Sequence, residues 1–306
     1  MSDKPVIGFI GVGLMGHGMA KNIVEKGYPL VIKGNRNRQP VDDLVGRGAT
    51  EVATPREMAE QCDIIHLCLS NSPQIEAVYA GEDGLLAGAR PGLIVIDTST
   101  ADPTSTMRLA EALAEKGGSL VDAPLGRTPK EAEAGTLDAM VGASPEDFAK
   151  VLPVIECWAG NINHVGETGA GHKMKLLMNL IAMSYAALYA EATVLGAKVG
   201  ISPQTVQKVI GSSRLSNGFF DTFMNYTVDR NKDAHKFSIA NAAKDVRYAN
   251  AMAADAGALT LIASATRQYF SHVEAVGHGA DYVPWIGDHI GRLNGIDMEA
   301  EVAKGK

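Results

Sequence analysis

The sequence predicts an α/β protein: a doubly wound, mostly parallel sheet comes first, and an all-helical part follows it. Short apolar runs alternate with helical patterns over the first half of the chain, as in doubly wound sheets. A glycine-rich turn follows the first apolar run. A long apolar helical pattern then begins near residue 170, and no strand pattern comes after it.

Composition limits the classes of protein that the chain can belong to. Its 306 residues, 46% of them hydrophobic, predict a large core and two domains, 1–166 and 167–306. The net charge of −7 argues against nucleic acid or an anionic membrane as a partner. Cys62, Cys68 and Cys157 lie at unrelated spacings and fit neither a disulfide framework nor a zinc site. These spacings lead us to expect no metal site. Because no signal-peptide pattern precedes the first strand, we also expect a cytoplasmic chain.

The apolar runs place the strands, and the strands place the ligand-binding edge. Strands are predicted at residues 6–10, 30–33, 64–69, 94–97, 120–121 and 139–141, and helices at 41–47, 75–79, 104–115 and 145–152. Ligands of such sheets bind outside the carboxyl ends of the strands. Three stretches fall at such strand ends: Leu69, Ser70 and Asn71; residues 98–100; and residues 126–128. They are predicted to lie at that edge.

The glycine-rich turn predicts a Rossmann dinucleotide site. It contains Gly11, Gly13, Leu14, Met15 and Gly16, between the first strand and a helical pattern. Glycines there allow a tight turn and close approach of a pyrophosphate, while the helix N-terminus faces the phosphates. The alternative is a purely structural glycine turn, for which this position between strand and helix gives less support.

The end of the second strand predicts which dinucleotide is bound. Residues 34–38 read Gly-Asn-Arg-Asn-Arg, so no carboxylate follows this strand. An acid at this place grips the ribose 2′-hydroxyl of NAD, whereas an arginine accommodates the 2′-phosphate of NADP. Asn35, Arg36 and Arg38 therefore predict NADP, with NAD less favoured. The alternative is a solvated basic turn.

The long apolar segment, residues 166–200, predicts a helix shared by both domains. Its cleanest apolar part, residues 176–190, is shorter than the ~20 residues that span a bilayer. We therefore expect a buried helix of a soluble protein, with no membrane partner. Because one small helical domain cannot cover so long an apolar helix, a homodimer or homotetramer is predicted.

Lys175 and Asn179 are the polar pair near the start of this helix. Their spacing of four residues places them on one helix face. In one interpretation Lys175 extends its amine to solvent and Asn179 bonds a neighbouring helix. In the other they are a catalytic pair, because burial and the helix N-terminus both lower a lysine pKa and suit it to proton transfer. Further helices are predicted at 203 onward, 238–256, 259–276 and 282–293, with Lys244-Asp245 as an isolated charged motif.

These features together resemble the β-hydroxyacid dehydrogenase family over nearly the whole chain. Four ordered motifs carry the resemblance: GFIGVGLMG at the start, DAPLGRTPKEAEAGTL at 122–137, GAGHKMKLLMN at 169–179 and KD at 244–245. The resemblance implies that Lys175 is the catalytic lysine and Asn179 its partner. It also implies that Lys244 lies near substrate and nicotinamide, and that Ser99 and Thr100 belong to the nicotinamide loop.

One loop departs from the family pattern. Where much of the family has Ser-Gly-Gly, this chain has Gly126, Arg127 and Thr128, which resembles the sulfolactaldehyde reductases. An arginine fork suits a multi-oxygen anion, so these three residues are predicted to bind a sulfonate or phosphonate. The match to that subgroup is partial, because Met178 and Ala182 replace its asparagine and serine.

The sequence therefore predicts a reductase or dehydrogenase of a small anionic aldehyde or ketone. Three alternatives stay open. Arg127 could pair with Glu131 at the surface, and the substrate could be a carboxylate, as in 3-hydroxyisobutyrate dehydrogenase or tartronate semialdehyde reductase. In a different class, the chain could bind a dinucleotide without catalysis, although Lys175 argues against this.

Overall fold

The structure is a computed structural model that describes residues 4–305 of the chain. It divides into two compact units, Met1–Lys175 and Leu176–Lys306. The first unit contains every strand of the described chain, and the second is helical. The division falls within one long helix, whose first residues belong to the first unit.

The first unit is built on a sheet of nine strands within the described residues. The strands are β1 Ile7–Ile10, β2 Leu30–Lys33, β3 Thr50–Val52, β4 Ile64–Leu67, β5 Ile94–Asp97, β6 Ser119–Asp122, β7 Leu125–Gly126, β8 Leu137–Gly142 and β9 Ala159–Gly166. Their order is β3-β2-β1-β4-β5-β6-β8-β7, and β9 pairs with β8. The strands from β3 to β6 are parallel, whereas β8 runs antiparallel to β6 and β7. The strand order reverses between β1 and β4, which is where doubly wound sheets bind their ligands.

Eight helices connect these strands. They are α1 Gly16–Glu25, α2 Gln39–Gly46, α3 Pro55–Gln61, α4 Ser72–Tyr79, α5 Leu85–Gly88, α6 Pro103–Ala114, α7 Pro129–Ala134 and α8 Pro145–Ile155. They cover both faces of the sheet. Alternate residues of β1 point to opposite faces, so Ile7 and Phe9 join one buried cluster and Ile10 the other. The predicted doubly wound architecture is confirmed.

The pattern missed the strands that are not apolar. β3 reads Thr-Glu-Val and is largely exposed at the sheet edge, and β9 reads Ala-Gly-Asn-Ile-Asn-His-Val-Gly with mostly exposed or half-buried residues. A strand that buries little apolar surface leaves no apolar run in the sequence. Backbone pairing with β2 and β8 holds them instead.

Helix α9, Ala170–Lys198, is the long helix that the sequence predicted. At about 1.5 Å per residue it is roughly 44 Å long. By length and composition alone it could cross a membrane, a test that core helices of soluble proteins also pass, and 44% of its most apolar window is buried. One face of the helix is exposed in the single chain, so its expected burial stays a prediction that requires a second copy. The exposed apolar residues of that face are Met174, Leu177, Met178, Ile181, Tyr185, Leu188 and Leu195.

The second unit packs its helices around the buried side of α9. The helices are α10 Pro203–Gly211, α11 Gly218–Thr227, α12 Ile239–Asp255, α13 Leu261–Val273, α14 Ile286–Leu293 and α15 Met298–Lys304, with a π-helical turn Glu274–His278 and a 3-10 turn Val283–Trp285. Their core includes Tyr189, Phe220, Phe223 and Phe270. The prediction of a helical C-terminal part is confirmed, although α11 and α15 were not predicted.

Candidate active site

The glycine turn lies where the strand order reverses. A Cβ on Gly11, whose φ is 100°, would approach the Cys68 carbonyl oxygen to 2.2 Å, and one on Gly16 would approach the Gly11 oxygen to 2.0 Å. Both glycines are therefore required for the backbone to pass between β1, β4 and α1. At Gly13, in contrast, an added Cβ would meet nothing within 4 Å. The turn thus presents open space to one side, as a pyrophosphate needs.

The start of α1 also fits a phosphate. In five helices of the same unit, α3, α4, α6, α7 and α8, a side chain caps the first turn. The capping residues are, in that order, Thr54, Asn71, Asp102, Thr128 and Ser144. At α1 the N-cap residue is Met15, and no described side chain caps the turn. The first N–H groups of a helix attract anions, and a bound phosphate satisfies them as a capping side chain would. The residues present fit a dinucleotide.

At the carboxyl end of β2 the fold adds a group that the local sequence lacks. Glu51 of β3 accepts hydrogen bonds from both Nη atoms of Arg38, at 2.7 and 2.8 Å. The side-chain oxygen of Asn35 accepts a hydrogen bond from the backbone N–H of Arg36. The Arg36 guanidinium has no hydrogen bond to a described residue. Of the two predicted phosphate-binding arginines, Arg38 is therefore already paired with an acid.

The loops after β4 and β5 are joined by Ser99. Its hydroxyl oxygen accepts from the Leu69 N–H at 2.9 Å, and its own N–H donates to Asp97 at 2.9 Å. Asn71 caps α4 and accepts from the Gln74 N–H. The structure thus brings together two predicted stretches. One contains Leu69, Ser70 and Asn71, and the other contains Ser99 and Thr100. Ser99 is buried and fixes the two loops to each other.

Asp122 anchors the start of α9 at the end of β6. Its two carboxylate oxygens accept from the backbone N–H groups of Gly169 and His172, both at 2.6 Å. Burial raises the pKa of Asp122, and the nearby His172 partly offsets this effect. His172 is itself buried, with Nδ1 2.7 Å from the Thr106 hydroxyl. Lys175 lies three residues further along α9, so Asp122 sets the position of the helix turn from which this lysine projects.

The loop from residue 126 to 128 is held by Asp138 of β8. Gly126 pairs with Asp138 in the sheet, and the Arg127 Nε donates to Asp138 Oδ2 at 2.9 Å. The alternative partner, Glu131, instead accepts from the Thr128 hydroxyl and backbone N–H, because Thr128 caps α7. The hydroxyl of Thr128, predicted to contact substrate, is thus committed to the cap. Arg127 is half exposed, with its Nη atoms unbonded to described residues.

The helical unit contains its own polar cluster around Asp245. Asn179 Nδ2 donates to Asp245 Oδ2 at 2.6 Å, and Lys244 Nζ lies 3.1 Å from Asp245 Oδ1. Asp245 is 2% exposed. Two residues predicted from separate motifs are therefore joined by one buried carboxylate. Asp245 orients the Asn179 amide on the face of α9 that also carries Lys175, one helical turn earlier.

Four acids that shape these sites were not predicted to belong to them: Glu51, Asp97, Asp122 and Asp138. Asp122 opens the DAPLGRT loop and Asp97 directly precedes the Thr-Ser-Thr stretch, so both stand where buried strands end. That position was a usable signal. The sequence around Glu51 and Asp138 carries no such signal, because each acid contacts its arginine only after two strands have paired.

Two family models match the chain. Residues 6–166 match the NAD binding domain of 6-phosphogluconate dehydrogenase. Residues 169–286 match a model described as NAD-binding of NADP-dependent 3-hydroxyisobutyrate dehydrogenase. The two matches meet at the start of helix α9.

Individual relatives agree with these models. The 2-(hydroxymethyl)glutarate dehydrogenase of Eubacterium barkeri is 40% identical over 213 residues, which cover 70% of this chain and 70% of that protein. The 3-sulfolactaldehyde reductase of Escherichia coli K12 is 31% identical over 273 residues, 89% of this chain and 91% of that protein. The solved structure of Mycobacterium tuberculosis 3-hydroxyisobutyrate dehydrogenase with L-serine superposes with a TM-score of 0.84 at 27% identity, covering 94% of this chain and 99% of that one.

Proposed function

The chain belongs to the β-hydroxyacid dehydrogenase family, and on that premise we propose that its substrate is a small aldehyde or ketone bearing a sulfonate or phosphonate. The family and its relatives are NAD(P)-dependent hydroxyacid dehydrogenases, so the reaction class is hydride transfer between a nicotinamide and a carbonyl or alcohol carbon. The anion and the choice of NADP are the parts proposed here.

The backbone of Arg127 is the observation that carries the choice of anion. Its φ is 77°, in the left-handed region that glycine adopts without strain. A non-glycine residue held in such a region costs of order 1–3 kcal/mol. The family's commoner Ser-Gly-Gly places a glycine at this position without that cost. The presence of an arginine at this strained position favours a role for its side chain, and we assign to it the binding of the substrate anion.

The hydrogen bond to Asp138 leaves the far edge of the guanidinium available. Because Asp138 accepts from Nε, the two Nη groups form a fork that matches two oxygens of one anion. The sulfonate and the phosphonate each offer three oxygens to such a fork. The similarity of Gly126, Arg127 and Thr128 to the sulfolactaldehyde reductases supports the same choice.

In the mechanism that we propose, the residues of the chain place and transfer a proton. When bound, the reduced dinucleotide supplies a hydride to the carbonyl carbon. Lys175 gives a proton to the developing alkoxide and stabilises its charge. As the family resemblance implies, Asn179 donates to the same oxygen in an orientation set by Asp245, and Arg127 with Lys244 holds the remote anion. In the oxidative direction Lys175 accepts the proton.

NADP is the proposed coenzyme because two arginines follow β2. Arg36 is exposed and has no hydrogen bond to a described residue, so its guanidinium suits a 2′-phosphate. Arg38 is a second cation at the same place, although Glu51 holds it. The support for NADP over NAD therefore comes mainly from Arg36.

A substrate screen tests the proposed anion. Three-carbon aldehydes and ketones that differ only in a sulfonate, phosphonate or carboxylate are each reduced with NADPH and NADH. We expect kcat/KM for the best sulfonate or phosphonate to exceed that of the matched carboxylate by at least about tenfold, or ~1.4 kcal/mol. A carboxylate that is used equally well would favour 3-hydroxyisobutyrate or tartronate semialdehyde as the substrate type.

We also propose that a second copy of the chain covers the exposed face of α9. The face is apolar over about six helical turns, from Met174 to Leu195, and large exposed apolar patches mark interfaces. Light scattering at micromolar concentration is expected to give at least twice the protomer mass of 32.2 kDa. Leu188→Asp, on this face, is expected to lower that mass, whereas Val45→Asp on α2 leaves it unchanged. A wild-type monomer would contradict the proposal.

A further inference from the structure

Arg38 and Glu51 form a two-pronged ion pair at the end of β2. Arg38 Nη1 lies 2.7 Å from Glu51 Oε1, and Nη2 lies 2.8 Å from Oε2. A third, weaker contact joins Nη2 to Asp42 at 3.2 Å. Two parallel bonds add energy and geometric specificity to an arginine–carboxylate pair, and here they occupy both Nη atoms.

The carboxylate lies at the position where doubly wound folds recognise the ribose. Glu51 of β3 pairs with Ile32 of β2, so its side chain stands beside the end of β2. A Cβ on Gly34 would lie only 2.2 Å from Glu51 Oε1. Gly34 is the first residue after β2, near the place where an acid of the second strand grips the 2′-hydroxyl in NAD-binding sheets. Here the acid comes from the next strand, and the glycine makes room for it.

Glu51 is ionised at neutral pH. The hydrogen bonds from Arg38 lower its pKa, and the Gly34 backbone and the Lys33 charge act in the same direction. An ionised carboxylate accepts a hydrogen bond from a free 2′-hydroxyl. It also repels a 2′-phosphate and competes with it for Arg38.

We propose that Glu51 is a coenzyme-selecting residue: it holds Arg38, reduces the preference for a 2′-phosphate and accepts a hydrogen bond from a 2′-hydroxyl. This inference rests on the dinucleotide site and on the proposed role of the arginines after β2. Arg36 then provides the positive charge that favours NADP, and Glu51 keeps NAD usable. The balance between the two coenzymes is set by one acid outside the glycine motif.

Coenzyme binding tests this without any substrate. The dissociation constants of NADPH and NADH are measured by nicotinamide fluorescence for the wild type, Glu51→Gln and Glu60→Gln. Glutamine keeps the size of glutamate and removes its charge. Glu60 is a matched control, because it pairs with Arg56 on the surface of α3 in the same unit.

Glu51→Gln is expected to raise the ratio of the NADH to the NADPH dissociation constant at least about tenfold, or ~1.4 kcal/mol. The change should come mainly from tighter NADPH binding, and Glu60→Gln should leave the ratio unchanged. In an Arg38→Gln background the effect of Glu51→Gln should shrink, because the competition acts through Arg38.

A ratio that stays within about twofold of wild type in Glu51→Gln, or that Glu60→Gln raises equally, would overturn the inference. The wild-type ratio tests the NADP proposal separately. A wild type that prefers NADH, with a tenfold shift toward NADPH in Glu51→Gln, would contradict the proposed coenzyme and leave the role of Glu51 intact.

Discussion

Lys175→Ala is expected to lower kcat by about 10²–10⁴-fold, the range of general acid–base catalysis, and to leave coenzyme binding nearly unchanged. The reason is that no other group would supply the proton to the alkoxide, whereas the coenzyme is held at the glycine turn and the end of β2. Lys175→Arg should lose most of the activity as well. Its guanidinium keeps the charge but cannot give up a proton near neutral pH.

Lys173→Ala is the matched control for this variant. Lys173 lies in the first turns of the same helix and is exposed, so its removal changes the same charge near the same helix end. It is expected to retain wild-type kcat. The measurement is steady-state kcat with the best substrate of the screen, together with NADPH binding by fluorescence. A Lys175→Ala enzyme that keeps more than about a tenth of wild-type kcat would contradict the assignment of Lys175 as the catalytic acid.

Arg127→Ala is expected to raise KM for the anionic substrate at least about tenfold. Hydrogen bonds to a charged group are worth roughly 1.5–3 kcal/mol each, and one decade in an equilibrium constant corresponds to ~1.4 kcal/mol. KM for NADPH should change little, because Arg127 lies outside the glycine turn and the basic turn after β2. Arg127→Lys should rescue only part of the loss, since a point charge does not reproduce a fork.

Arg127→Gly separates binding from backbone strain. Glycine adopts a φ of 77° without penalty, so this variant should melt no lower than wild type while its substrate KM rises as in Arg127→Ala. Arg108→Ala, which removes an exposed arginine paired with Glu76 in the same unit, should alter neither KM. If the substrate KM is unchanged in Arg127→Ala, the pair of Arg127 with Asp138 is only a surface contact. A carboxylate would then be the favoured substrate anion.

The sequence by itself determined the features that depend on neighbours along the chain. The apolar runs of β1, β2, β4 and β5 are buried strands, so each reads as a short run in which Ile, Val, Leu and Phe predominate. The glycine turn, the long helix and the spacing of Lys175 and Asn179 are local patterns too. From these the α/β class, the helical C-terminal part and the family resemblance follow.

The tertiary structure alone decided how the charged groups pair. Glu51 meets Arg38 across 13 residues and Asp138 meets Arg127 across 11, each through a strand pairing, while Asp245 meets Asn179 across 66. Exposed polar strands such as β3 leave no apolar period that would reveal the register. For the same reason Arg38 could look unpaired in the sequence and Arg127 could seem to pair with Glu131. The strand register and helix packing that bring distant residues together are set by burial of the whole core, which no local segment contains.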